Sequence, residues 1–257
     1  MLQSDLSKRI ILERDEIDFD KNSCGVCYMK FEDHANAAII DFHVHSKYSP
    51  DSTLSPRKII KVARRKGLNG VAVTDHDTIK GSLEAFEIAK SEKDFVVIIG
   101  AEIKTNIGDV IGLFLSQEIQ SKEFSKVINE IKKQGGIAVL PHPYRTFAGT
   151  VPSQVIAAVD IIEGFNARVK NNSLNLKAQE LAMKFRKPMV GGSDAHFAHE
   201  IGNGRTILAN TPLQPDAIKK ALLEGKAKIE GKILPFFLYA SYEFGIGKVL
   251  RFIKKHL

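Results

Sequence analysis

Residues 39–52, IIDFHVHSKYSPDS, decide how the whole chain is read. Ile39 and Ile40 open an alternation through Asp41, Phe42, His43, Val44 and His45, the pattern of a strand running out of a core. Side chains two apart on a strand share a face, which sets His43 and His45 together with Asp41 beside them. Three polar, metal-capable groups on one face are costly to bury unless something satisfies them. A single histidine there reads as an ordinary hydrogen-bonded residue. A His-x-His at a strand end is a metal candidate, and the rest of the chain has to settle it.

Outward from this stretch, short apolar strands alternate with helices. LSPRKIIKVARRKG is a helix with Ser55 as N-cap, Pro56 in the first turn and Gly67 as stop. GVAVTDHD is a strand, and GSLEAFEIAKS is a helix with Leu83 and Phe86 on one side. FVVIIGAEI and DVIGLFL are strands. SKEFSKVINEIKKQGG is a helix whose apolar stripe is Phe124, Val127, Ile128 and Ile131. The strand IAVLPHP, a short helix over 153–158, the strand VDIIEGF, the helix NSLNLKAQELAMKFRK and the strand PMVGGSDAH follow. The alternation predicts an α/β fold with a mainly parallel sheet, and some seven strands that all end in polar residues suggest a closed barrel. Residues 1–38 form a charged N-terminal extension without pattern, and residues 39–257 form the barrel with its C-terminal tail.

The strand ends carry the chemistry: DFHVHS at 41–46, TDHDT at 74–78, GAEI at 100–103, PHP at 141–143 and GSDAH at 192–196, with Glu163 and Asn166 at one more. Five of the eight histidines fall in these segments. Asp, His, Gly and Pro all favour turns, so any one segment alone reads as a strand-end turn. Chance does not put a ligand-type residue at nearly every strand end. In an α/β barrel those ends share one mouth, where sites are built.

The five segments, in this order, resemble the PHP (polymerase and histidinol phosphatase) phosphoesterases over residues 39–210. The resemblance implies a distorted (β/α)7 barrel with two or three divalent metal ions at the carboxyl end of the strands. It makes His43, His45, Glu102 and Asp194 ligands of a first metal, with Glu102 bridging to a second that His142 also binds. Asp51, His76 and His196 become ligands of a third. Where many relatives carry a histidine after the bridging glutamate, this chain has Asp109, a carboxylate that can still ligate but alters the site's metal preference. Asp51 also follows His45 by one residue more than the pattern.

Imidazoles and carboxylates together suit Mn, Zn or Fe, and such ions can lower the pKa of a water that attacks phosphorus. Arg145, directly after PHPY, is the candidate phosphate contact, since a guanidinium can grip two oxygens. Arg168 and Lys47 are weaker candidates, and His199 is a candidate leaving-group acid. The expected function is hydrolysis of a phosphate mono- or diester of a small molecule or nucleotide. A nuclease acting on RNA or DNA ends is the alternative, with only Tyr48, Tyr144 and Phe147 available for stacking. A non-catalytic metal-binding scaffold is a third reading, against which the nearly complete ligand set argues.

The 257 residues fit one large domain or two small ones, and the net charge of +7 suits an anionic substrate without choosing between a phosphate ester and nucleic acid. Two cysteines argue against a disulfide framework and fit a reducing, cytoplasmic setting. No apolar stretch approaches the ~20 residues that span a bilayer, so no membrane role is expected. Cys24 and Cys27 have metal or redox spacing but no second pair. His34 and His256 read as surface residues. The amphipathic tail packs Phe236, Phe237, Val249 and Phe252 against the barrel in this reading.

Overall fold

A computed structural model describes residues 37–235. Most of the N-terminal extension, with Cys24, Cys27 and His34, and the tail with Phe236, Phe237, Val249, Phe252 and His256 lie outside the described residues, and Ala38 already belongs to the first strand. The strands are β1 (Ala38–Val44), β2 (Gly70–Val73), β3 (Val96–Lys104), β4 (Asp109–Leu113), β5 (Ile137–Leu140), β6 (Ile161–Asn166), β7 (Met189–Gly192), β8 (Gly204–Leu208) and β9 (Ala227–Gly231). The helices are α1 (Pro56–Arg65), α2 (Lys80–Ala89), α3 (Phe124–Lys133), α4 (Pro143–Thr146), α5 (Ser153–Ala158), α6 (Ser173–Lys184) and α7 (Pro215–Leu223).

The nine strands of the described residues form one sheet in the order β7-β6-β5-β4-β3-β2-β1-β8-β9. The pairs β1–β2, β2–β3, β5–β6 and β6–β7 are parallel. β4 runs antiparallel between β3 and β5, and the β8–β9 hairpin runs antiparallel on β1, so the sheet is less parallel than the alternation suggested. The chain beyond β7 returns to β1: Asp194 N donates to His43 O at 2.7 Å and His45 N to Ala195 O at 2.8 Å. On the edge away from β2, β1 therefore serves two partners, β8 along its first half and the chain just after β7 along its last, and strands β1–β7 close into a (β/α)7 barrel. Beside this seam the backbones of Gly192 and Gly204 approach so closely that a Cβ at Gly204 would overlap Gly192 O, a contact only glycine allows.

Three apolar layers follow from the strand alternation. Ile40, Phe42, Ile98, Ile111, Val139, Ile161 and Val190 fill the barrel interior, joined by Ile218, Ala221 and Leu222 of α7. Val44, Val71 and Val73 pack outward against Ile59, Ile60 and Ala63 of α1 and Ala85 of α2. Ala101, Ile103, Ala138 and Leu140 pack outward against the stripe Phe124, Val127, Ile128 and Ile131 of α3. Helix α1 starts as its sequence predicts, with Ser55 accepting from Lys58 N at 3.3 Å.

One local expectation is corrected, and one helix buries an unexpected face. The β1–β2 register shifts between Asp41 and Val44, a bulge that lets Phe42 and His43 both face inward while Val44 faces the helices. Asp41 thus does not share the site with His43 and His45. Its carboxylate accepts from Ser193 N at 2.8 Å, Gly202 N at 2.8 Å and His43 N at 3.3 Å, which ties β1 to the chain after β7. In α2, Leu83 and Phe86 are exposed, and the buried face is Gly81, Ser82, Ala85 and Ala89. Small residues win that face because the helix lies close enough for Ser82 Oγ to reach Gly100 O at 3.3 Å.

Candidate metal centre

The parallel strands end at one mouth, and the antiparallel β4 begins there, since Lys104 pairs with Asp109 and Glu102 with Ile111. An aspartate at the start of a strand thereby joins groups at the ends of the others. His43, His45, Glu102, His142, Asp194 and His196 are buried, Asp51 and Asp109 are half-buried, and His76 lies at the rim.

His43 Nε2 lies 3.1 Å from His45 Nε2, 3.5 Å from Glu102 Oε2 and 3.7 Å from Asp194 Oδ1. His45 Nε2 lies 3.4 Å from Glu102 Oε2 and 3.3 Å from Asp194 Oδ1. Four donors on a tetrahedral ion at about 2.1 Å would stand about 3.4 Å apart, the spacing of these five edges. Glu102 Oε2 and Asp194 Oδ1 are buried and make no hydrogen bond, a cost that a cation between these donors would remove. The residues fit a divalent metal.

Two further groups adjoin the first. Glu102 turns Oε1 to His142 Nε2 at 2.9 Å, and Asp109 brings a carboxylate oxygen into the same group. Asp51 Oδ1 meets His196 Nε2 at 3.2 Å, Asp51 Oδ2 meets His76 Nε2 at 3.6 Å, and His76 Nδ1 meets Glu102 Oε2 at 3.1 Å. The longer loop before Asp51 thus still delivers it to both histidines. Glu102 stands between the groups, one oxygen toward each side.

The other ring nitrogen of four histidines is anchored. His43 Nδ1 contacts Glu163 Oε1 at 3.0 Å, His45 Nδ1 contacts Ser49 Oγ at 3.0 Å, and His142 Nδ1 contacts Thr146 Oγ1 at 3.3 Å. His196 Nδ1 contacts the carbonyl of Asp194 at 2.9 Å. Anchoring at Nδ1 fixes ring orientation and leaves Nε2 for an ion. Glu163 also accepts from His142 N at 2.7 Å and Asn166 Nδ2 at 3.0 Å, and Asn166 Nδ2 reaches Asp194 Oδ2 at 3.2 Å. His142 (φ 27°) and Asp194 (φ 55°) hold left-handed backbone, strain of about 1–3 kcal/mol each that the surrounding bonds must sustain.

The charges are sorted for metal binding. Burial works against charge on Glu102 and Asp194, but His43 beside the first and Arg145 and His43 beside the second hold both well below the ordinary carboxylate range. Burial, then the neighbouring His196 and His76, pushes His45 down to about 3, so its ring is neutral at pH 7. His43 is opposed by burial yet held well above its ordinary value by Asp194, Glu163 and Glu102, the carboxylates whose charge a cation would offset.

The remaining candidates separate. Arg145, on α4 directly after His142, donates from Nη1 to Asp194 Oδ2 at 2.6 Å, with its side chain 30% exposed. Arg168 is buried, its Nη1 3.5 Å from Glu200 Oε2, and Glu200 in turn accepts from His196 N at 2.7 Å and Phe197 N at 3.0 Å. Arg168 thus steadies the His196 loop. Lys47 pairs with Glu84 at 2.9 Å on the surface. His199 is exposed, its ring 6.2 Å from that of Phe197, and it joins none of the metal-capable groups. Glu163, Asn166 and Ser49 are the site residues to which the sequence assigned no role. The first two stood visibly at a strand end, whereas Ser49 gave no signal beyond a turn.

A closed (β/α)7 barrel with this donor set at its mouth defines a class, and comparison with known proteins agrees with it. A family model described as PHP-associated matches residues 172–227, which carry Asp194 and His196. The chain is 40% identical over 163 residues to an uncharacterised protein of Methanocaldococcus jannaschii, covering 56% of this chain and 94% of that one. Over 66 residues it is 47% identical to a 5'-3' exoribonuclease of Haemophilus influenzae, covering 26% of this chain and 23% of that one. It superposes on a two-domain Bacteroides vulgatus protein described as containing a predicted PHP-like metal-dependent phosphoesterase, with TM-score 0.66 and 21% identity. That match covers 76% of this chain and spans 65% of the other's length. The chain belongs to the PHP domain family. Among the described residues no helix is long and apolar enough to cross a membrane.

Proposed function

We propose that the chain is a metal-dependent hydrolase that cleaves a phosphate mono- or diester of a small molecule or nucleotide. The observation that carries this reading is Glu102, a buried carboxylate whose two oxygens face two different donor groups. Bound divalent ions would supply a water of lowered pKa and positive charge for the phosphoryl oxygens. His43, His45, Glu102 and Asp194 would hold one ion, Glu102, Asp109 and His142 a second, and Asp51, His76 and His196 a third. Arg145 keeps its guanidinium partly open at the mouth while Asp194 orients it, a cation ready for an anionic substrate before it arrives. The reading fails if a panel of phosphomonoesters and phosphodiesters, run with Mn and Zn separately, gives no turnover that chelation abolishes.

A second reading is a nuclease acting on strand ends. The segment shared with the exoribonuclease supports it, as does Tyr48, which is 39% exposed beside the site loop with its hydroxyl fixed to Glu84 Oε2 at 2.9 Å. Short 5'-phosphorylated RNA in the same panel separates the two, because a nuclease would prefer it to every small ester.

A further inference from the structure

The loop between β1 and α1 folds around one buried carboxylate. Asp75 Oδ1 accepts from Ser46 N at 2.6 Å and Ser49 Oγ at 2.7 Å, and Asp75 Oδ2 accepts from Ser46 Oγ at 2.6 Å. The start of α2 closes over this arrangement so tightly that a Cβ at Gly81 would overlap both Asp75 Oδ2 and Ser46 Oγ. Ser49 Oγ has two more neighbours, His76 N at 3.1 Å and His45 Nδ1 at 3.0 Å.

A hydroxyl has one proton to give and two lone pairs. A carboxylate can only accept, so the Ser49 proton goes to Asp75. The backbone N–H of His76 can only donate, which fills one lone pair. The other is left for His45, whose ring must therefore carry its proton on Nδ1 and turn an unprotonated Nε2 to the donor cluster. From this geometry we propose that Ser49, held by Asp75, is a positioning residue of the metal centre, fixing the tautomer of His45 and the placement of His76 through one hydroxyl. Two ligands from different strands are thereby set by one atom, and the same loop carries Asp51 onto His76 and His196. The proposal rests on the metal reading of the site and on no choice of substrate. Glu163 does the corresponding work for His43, which provides a control within the same molecule.

The test uses the full chain with 15N-labelled histidine, loaded with zinc. The wild type should show His45 bound through Nε2 with a slowly exchanging Nδ1–H. In Ser49→Ala that proton should exchange fast while the Nδ1–H of His43 stays protected, and zinc affinity by chelator competition should fall about 10–100-fold. Asp75→Asn, whose amide oxygen can still accept from Ser49, should shift both readouts the same way by less. Wild-type zinc affinity together with a still-protected His45 Nδ1–H in Ser49→Ala would overturn the proposal. If that variant does not fold, the same result in Asp75→Asn overturns it instead. A wild type that takes up no zinc or manganese would fail differently, by removing the metal reading itself.

Discussion

Glu102 and His43 share one property at the scale of single residues: each sends a side-chain donor atom into the cluster, while the seam at His43 is made by its backbone carbonyl, which alanine keeps. We therefore expect His43→Ala and Glu102→Ala to stay folded by circular dichroism while hydrolysis drops at least ~10²-fold, a loss of about 3 kcal/mol of catalytic stabilisation. Wild-type rates in either would refute the assignment. Asp109→His should shift relative affinity from Mn toward Zn, because a hard carboxylate oxygen is exchanged for an imidazole. Competition between the two metals reads this directly, and an unchanged ratio would remove Asp109 from the ligand set. Most ligand-type residues were legible because they follow an apolar strand, whereas Asp109 opens β4 and Asp51 sits in the loop after β1, and both rested on the family resemblance. Asp41 was misjudged because a bulge is invisible to a strict alternation. Arg168 looked available in FNAR because its partner, Glu200, lies in a loop that only the fold brings near.

At the scale of elements, the bulge in β1 does two jobs. It turns His43 inward and frees Asp41 to clamp the end of β7. Asp41→Ala would strand the buried N–H donors of His43 and Ser193 and the half-buried one of Gly202, at about 1–3 kcal/mol each. Denaturant melts should show at least ~3 kcal/mol lost, and a loss below ~1 kcal/mol would mean the clamp is dispensable. Most strands and helices were readable from period and capping, with Ser55, Pro56 and the α3 stripe as the strongest signals. The antiparallel course of β4 was not, because residues that alternate in and out do so in either direction. The buried face of α2 is not legible from hydrophobicity, because Leu83 and Phe86 outweigh glycine, serine and alanine on any such scale. Close approach to the sheet selects the small residues instead.

At the scale of the whole molecule, the mouth gathers buried carboxylates and imidazoles from seven strands and their loops. Elemental analysis after mild purification should find at least two transition-metal ions per chain, or the chain should regain them on incubation with Mn or Zn. Chelation should lower the melting temperature. An ion present at 100 times its dissociation constant contributes about 2.7 kcal/mol per site, roughly 5–10 °C for a chain of this size. A melt indifferent to chelator and to added metal would contradict the centre as described.

The seam through which the chain after β7 meets β1 also bears on how the protein folds. Asp194 and His43 are about 150 positions apart in sequence, and their pairing closes the longest loop in the barrel. If closure over that distance follows the rate-limiting step, the barrier is crossed with the ligands still scattered. Metal should then leave the refolding limb of a chevron plot unchanged and act on the unfolding limb alone. The ion would be a lock on the finished barrel, with no part as a template for building it, and the protein's lifetime against unfolding would be set by how firmly that lock is held.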